Sequence, residues 1–297
     1  MKSLEQLIQQ LINGLSLGSI YALIALGYTM VYGIINLINF AHGDVYMLGA
    51  FIGFGLITIL KMNFLGALLI SMVSCAIIGI VIERVAYKPI RKSSRIAALI
   101  TAISVSLFLE YGTMYFVKPE SRAFPQVLDN KTIELFGGKF MVSSIDIWIV
   151  VITVVLMVVL QYVIHKTKMG KAMRAVAMDS EAAQYMGISI DKTISFTFAI
   201  GSALAGAAGV LVGVYYNSIN PLMGVMPGLK AFVAAVIGGI GVIPGAMFGG
   251  YFLGMTETMV SAYGGSLYKD AVAFAILIVV LLIKPNGLFG KNVKEKV

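Results

Sequence analysis

A chain of 297 residues that is 59% hydrophobic and only 12% charged is too apolar for a water-soluble domain, where about a quarter of residues are charged. The net charge of +8 would suit a nucleic-acid binder if it lay on one folded surface, but the basic residues stand between long apolar runs, where they set orientation in a bilayer. Two histidines and one cysteine leave no metal-ligand spacing and no intramolecular disulfide, and Cys75, inside an apolar run, reads as an inert packed side chain.

Nine apolar segments are predicted in chain order, at 7–34, 43–60, 65–85, 97–117, 147–164, 193–216, 226–240, 245–262 and 271–283. Most are long enough to cross about 30 Å of hydrocarbon as a helix. The first follows a polar decapeptide and is too long for a signal core, so it is read as a retained helix. Two segments are doubtful as simple spans: 226–240 is short, and 43–60 follows the polar residues Asn36, Asn39 and His42. Such interruptions are expected where helices break around a pathway. The expected fold is all-α: a single polytopic membrane bundle over 1–297, of eight or nine spans with broken or re-entrant segments.

Charge sets the sides. The stretches 84–95 and 166–192 and the tail from Lys284 hold 14 of the 22 basic residues and only four acids, and the positive-inside rule makes all three cytoplasmic. The segment 118–146 has four bases and four acids, with Phe-Pro, Asp-Asn and Gly-Gly pairs, and reads as an extracytoplasmic loop with turns. An even number of crossings is needed between Lys192 and Lys284, so the short segment 226–240 must also cross. Counting back from Arg84 puts the N-terminus outside, with nine crossings; an eight-span arrangement with the N-terminus inside and one early re-entrant segment is the alternative.

The chain resembles itself. Asn36-Leu-Ile-Asn-Phe-Ala-His-Gly43 and Asn217-Ser-Ile-Asn-Pro-Leu-Met-Gly224 each follow a Gly/Ala-rich helix, 181 residues apart. With an odd number of crossings between them, the two halves would form an inverted repeat, with the pathway at its interface. Polar residues in or beside the spans are the pathway candidates, because hydrocarbon penalises them: Asn36, Asn39 and His42 (with Asp44) at the first break, Asn217 and Asn220 (with Lys230) at the second, and Glu110 and Glu257 within helices. Each also has a structural reading: helix capping for Asn, His and Asp44, snorkelling for Lys230, and pairing with a surface base for Glu110. The small-residue stripe Gly201, Ala205 and Gly209, and a second through Gly245 and Gly249, read as close helix packing, with a direct role in gating as the alternative.

The most informative segment is the loop 166–192. In it, Ser180 is positioned to cap a short helix, Glu181 suits the positive end of its dipole, Ala182 and Ala183 favour helix, and Gly187 terminates it. Ala182, Tyr185 and Met186 share one face by i, i+3, i+4 spacing. This is either a capped loop helix or a knob that docks into a soluble partner. Glu181-Ala182-Ala183 with Gly187 resembles the EAA motif of ABC-importer permeases, whose coupling helix contacts the ATPase subunit. The later proline of that motif is missing from 188–196. The blocks 13–27, 38–43, 170–177 and 227–241 and the tail Lys284-Pro-Asn-Gly-Leu-Phe-Gly290 resemble the LivH type of branched-chain amino-acid permease, over nearly the whole chain.

That resemblance implies a bacterial inner-membrane subunit working with a second permease subunit as a heterodimer, two ABC ATPase subunits and a periplasmic substrate-binding protein. Leucine, isoleucine and valine would be the cargo. ATP and Mg would be bound by the partners, and this chain has no G-x-x-x-x-G-K-[ST] loop. The alternatives are a related permease for urea, amides or another small polar solute, and a stand-alone ion-coupled transporter with Glu110 or Glu257 as its ion site. A membrane-embedded enzyme fails on the inventory of catalytic side chains.

Overall fold

The computed structural model describes residues 2–35, 37–91, 93–135 and 140–290. All nine predicted segments are helices: α1 (Lys2–Ile35), α2 (His42–Thr58), α3 (Phe64–Ile82), α5 (Arg95–Val117), α6 (Ser144–Lys166), α9 (Ile190–Tyr216), α10 (Val225–Gly238), α11 (Ile243–Met259) and α12 (Lys269–Ile283). A π-turn at Glu83–Tyr87 and the single turn α4 (Lys88–Ile90) prolong α3, and two further helices, α7 (Lys168–Met178) and α8 (Ser180–Tyr185), fill the loop after α6. Among the described residues, six helices are long and apolar enough to cross a membrane, while α2, α10 and α11 have 17, 14 and 17 residues.

Local chemistry sets several boundaries. Asn63 and Ser94 cap α3 and α5 by accepting from the N–H groups of Gly66 and Ala97. A reciprocal Ser143–Asp146 capping box starts α6 at Ser144, three residues before the apolar run that marked it in the sequence. The segment expected as turns also carries a hairpin of β2 (Thr132–Leu135) with β3 (Phe140–Ser143), and β1 (Arg122–Ala123) pairs with β4 (Ser218–Ile219) after α9. These pairings satisfy backbone groups that a bare loop would leave to water.

α1 and α9 form the core, and α2, α3, α10 and α11 pack on them. Small residues allow this. A Cβ on Gly49 would lie 2.5 Å from the Cα of Gly206, and one on Gly250 would lie 2.4 Å from the Cα of Ala22. The Gly201 and Gly209 stripe meets Gly27 and Tyr46, as the packing reading expects. The outer helices bare regular apolar stripes: Leu65, Leu69, Val73, Ile77 and Val81 on α3, and Ile147, Val151, Val155, Val158 and Tyr162 on α6. In water such stripes would drive aggregation; in a bilayer they face solvent of their own kind.

The bundle has two distinct ends. Gln9 of α1 exchanges hydrogen bonds with the backbone of Met141, at 2.8 and 2.9 Å, so α1 begins beside the 118–143 segment. At the other end Ile34 and Ile35 share a cleft with Arg91, α8 and the start of α9. The 284–290 segment packs at the close of α10, where Leu288 and Phe289 donate to the carbonyls of Ile237 and Gly238. The described parts of the basic stretches, 84–91, 166–192 and 284–290, therefore lie at the end opposite to where α1 begins.

Candidate functional site

Two places in the bundle combine polar chemistry with irregular backbone. The first is the centre. α1 and α9 each run into a short non-helical link, and each link leads to a shorter helix, α2 or α10. The links are the two self-similar segments, and their final glycines touch: a Cβ on Gly43 would lie 2.5 Å from the carbonyl oxygen of Gly224, and one on Gly224 would lie 2.4 Å from that of Gly43. Only residues without a side chain allow this approach. The half-helices α2 and α10 thus begin against one another inside the protein.

Beside this contact is a cavity of about 270 Å³, lined by Tyr28, Asp44, Ser106, Glu110, Gly224 and Gly228, with an apolar wall from α5 and α10. Asp44, in the first turn of α2, is 1% exposed. Its Oδ2 accepts from Ser106 at 2.5 Å, and its Oδ1 has no partner. Glu110 on α5 is buried and faces Asp44, so the expected pairing of Glu110 with a surface base is corrected: its neighbour is another acid. Asp44 does not serve as the cap of α2 either, since Ala41 holds the N-cap position.

The other pathway candidates separate. His42 is buried next to Gly27, with its ring edge-on to Tyr28 at 4.7 Å. Asn39 is buried and accepts a 2.9 Å hydrogen bond from the Tyr87 hydroxyl, which ties the first link to the π-turn. Asn36 lies outside the described residues. Asn217 closes α9 in the left-handed conformation and its carbonyl accepts from Phe124, while Asn220 makes a turn by accepting from the N–H of Leu222. Both asparagines hold backbone, and neither lines the central cavity. Glu257 accepts from Tyr21 at 2.7 Å and from Lys230 at 2.6 Å, and Lys230 also reaches Asp270 at 2.6 Å. Lys230 is therefore a buried ion-pair partner rather than a snorkelling side chain, and Glu257 is spoken for.

The second place is the end that carries α7 and α8. Thr167 caps α7, and Gly170 fits against the carbonyls of Val163 and Ile164 where a Cβ has no room. Arg174 donates to the Ile164 carbonyl, fastening α7 to α6. The cap of α8 is Asp179, whose carboxylate accepts from the N–H of Ala182 at 2.9 Å; Ser180, assigned that role from the sequence, is the first helical residue. Aspartate suits the position doubly, since its charge also meets the helix dipole. Ala183 is the buried anchor of α8. Gly187 adopts φ +82°, and the N–H of Ile188 reaches back to the Ala183 carbonyl, a helix-ending pattern that favours glycine. Glu181 and Ala182 are exposed, and Tyr185 and Met186 are 90% and 83% exposed. Behind them, buried Glu83 accepts from Arg91 at 2.5 Å and Ser195 at 2.6 Å, and Asp191 pairs with Lys88 and Arg91 at 2.7 and 2.8 Å. This cluster links the π-turn of α3 to the start of α9.

A lipid-facing helical bundle with two broken helices meeting at its centre is the architecture of a membrane transport protein. Residues 10–281 match the permease component of branched-chain amino acid transport systems, and the chain belongs to that family. It is 46% identical to the high-affinity branched-chain amino acid transport system permease protein LivH of Escherichia coli, over 98% of this chain and 97% of that one. It is 45% identical to the corresponding protein BraD of Pseudomonas aeruginosa, over the whole of both chains. The ribose import permease protein RbsC of Haemophilus influenzae is similar at 26% identity, over 96% of this chain and 87% of that protein. Among solved structures, PsaBC from Streptococcus pneumoniae in complex with Fab shares the fold with a TM-score of 0.50 at 13% identity, over 93% of this chain and 92% of that chain.

Proposed function

We propose that this chain is the inner-membrane subunit through which an ABC importer passes leucine, isoleucine and valine, driven by ATP hydrolysed on separate subunits. The relatives named for branched-chain amino acid transport, at 45–46% identity over nearly the full length, support the cargo. The chain crosses the membrane nine times, with its N-terminus and the 118–143 segment outside and the basic end in the cytoplasm. In the working assembly it pairs with a second permease subunit, docks two ATPase subunits that hold ATP and Mg, and receives its cargo from a periplasmic binding protein.

The observation that carries this reading is α8: a capped, two-turn helix anchored by Ala183 that presents Tyr185 and Met186 to solvent. Two adjacent large side chains, Tyr185 and Met186, at 90% and 83% exposure beside Glu181 suit insertion into a socket of a partner. Motion of that partner would pass through α7 to α6, and through the Glu83–Arg91–Asp191 cluster to α3 and α9. The amino acid's apolar side chain crosses an apolar route at little desolvation cost, while its charged ends require polar partners on the way.

The test is ATP-dependent uptake of leucine in vesicles carrying the complete importer. Replacing Gly187 by alanine, which meets no atom within 4 Å but strains a positive φ, and replacing Glu181 by alanine are each expected to lower uptake while membrane insertion stays normal. Unchanged uptake in both variants, or uptake by this chain alone on an imposed ion gradient, overturns the reading.

A further inference from the structure

We propose that the central cavity holds the ammonium group of the amino acid in transit, with Asp44 and Glu110 as its acceptors. This rests on the reading of the chain as an amino-acid permease. The cavity, about 270 Å³, is near the lower end of small-molecule sites, roughly 300 Å³. Its polar content is lopsided: two carboxyl groups, one serine hydroxyl and one tyrosine line it, and no basic side chain does. The lysine on the same helix as its far wall, Lys230, is held by Glu257 and Asp270.

Asp44 carries the argument. It is 1% exposed, Ser106 holds one of its oxygens, and the other, Oδ1, is buried without a partner. That free oxygen looks toward the glycine contact, where a Cβ on Gly224 would come within 3.1 Å of it. Two carboxyl groups facing each other inside a membrane are costly in the charged form unless they share a proton or a cation meets them, and no basic side chain lines this cavity. A primary ammonium has three N–H donors and suits two facing carboxyl groups.

The rest of the cavity fits the same guest. Leu99, Ile103, Leu107 and Leu229 offer a branched aliphatic side chain an apolar wall. The N-terminus of α10, capped by Gly224 beside Asp44, brings the positive end of a helix dipole to the same cavity, within reach of the carboxylate that an amino acid carries next to its ammonium group. The cavity also sits where α2 and α10 begin, with Phe40 of the first link and Gly224 of the second in its wall.

The experiment measures binding of radiolabelled leucine to the complete permease–ATPase assembly in nanodiscs, with the binding protein left out. Two competitors divide the molecule: 3-methylbutylamine keeps the ammonium and the branched chain, and 4-methylpentanoate keeps the carboxylate and the branched chain. The amine is expected to displace leucine and the acid to fail. Asp44→Asn and Glu110→Gln are each expected to weaken leucine at least about tenfold, the loss of one charge-assisted hydrogen bond, and Ser106→Ala, which only frees Asp44 to rotate, about threefold. Displacement by the acid but not the amine, wild-type binding in both carboxyl variants, or no binding by the wild-type assembly overturns the proposal. The competitor arm uses the wild-type protein and so stands even if a variant fails to assemble. Uptake of leucine by the same assembly with its binding protein separates the two claims: uptake with a failed binding pattern removes this site alone, and absence of uptake removes the amino-acid reading itself.

Discussion

Two glycines of one helix should respond in opposite directions to the same change. Gly43 lies in the first turn of α2, and an alanine Cβ there would stand 2.5 Å from the carbonyl oxygen of Gly224 and 3.2 Å from the Cα of Gly228, both backbone atoms. Reaching the 3.4 Å of ordinary contact requires the two links to part by about 0.9 Å. Overpacking of that kind costs about 1–3 kcal/mol, and here it also pries open the contact between α2 and α10. Gly55 lies three turns further along α2, where a Cβ meets nothing within 4 Å. Alanine there removes a flexible residue from a helix interior and is worth roughly 0.5–1 kcal/mol of added stability. Thermal unfolding of the purified assembly in detergent, followed by tryptophan fluorescence or light scattering, should rank Gly55→Ala above wild type and Gly43→Ala below it. If Gly43→Ala is as stable as Gly55→Ala, the central glycine contact is not formed and the two broken helices do not meet.

Three further pairs of substitutions probe other parts of the molecule. Lys230→Met strips two acids of a buried partner and should destabilise by about 3 kcal/mol, with Glu257→Gln added to it recovering part of the loss, as read by the same unfolding assay. The loss stays at the low end for a broken buried pair because Lys269 remains 3.6 Å from Glu257. Asp179→Ala removes the cap of α8 and should cost about 1 kcal/mol locally, seen as faster amide hydrogen exchange over 180–187 with the rest of the bundle unchanged; Ser180→Ala should leave that exchange as it is. Glu83→Ala leaves half-buried Arg91 only the exposed partner Asp191, and should lower the unfolding temperature while cutting leucine uptake more deeply than Lys88→Ala does.

The helices were legible because hydrophobic length is read directly by a bilayer: every apolar run became a helix, and Gly187 ends α8 as its residue type implies, whereas the Ser143–Asp146 box that starts α6 three residues before its apolar run went unread. The self-similarity of 36–43 and 217–224 was visible as a pattern, and the structure gives it a cause, since both copies end in the glycine that the other needs. What the sequence hides is pairing. Lys230 reads as a charge seeking the interface until α11 and α12 bring Glu257 and Asp270 to it from 27 and 40 residues away. Glu110 and Asp44 are 66 residues apart and meet only because α5 folds over α2. Asn217 and Asn220 look like pathway residues by composition, yet local backbone geometry claims both. The choice between Asp179 and Ser180 as a cap turns on a single residue of register, which neighbouring good cappers leave open.

The proposed function requires α8 to be the cytoplasmic handle of the subunit. In a Cys75→Ser background, which removes the chain's one cysteine, Tyr185→Cys provides a single reporter on the exposed face of that helix. Membrane-impermeant maleimide should label it from the cytoplasmic side alone, and in the assembled importer it should cross-link to an ATPase subunit that shields it from the label. Labelling from the periplasmic side, or full reactivity with no cross-link in the complete complex, would contradict the account.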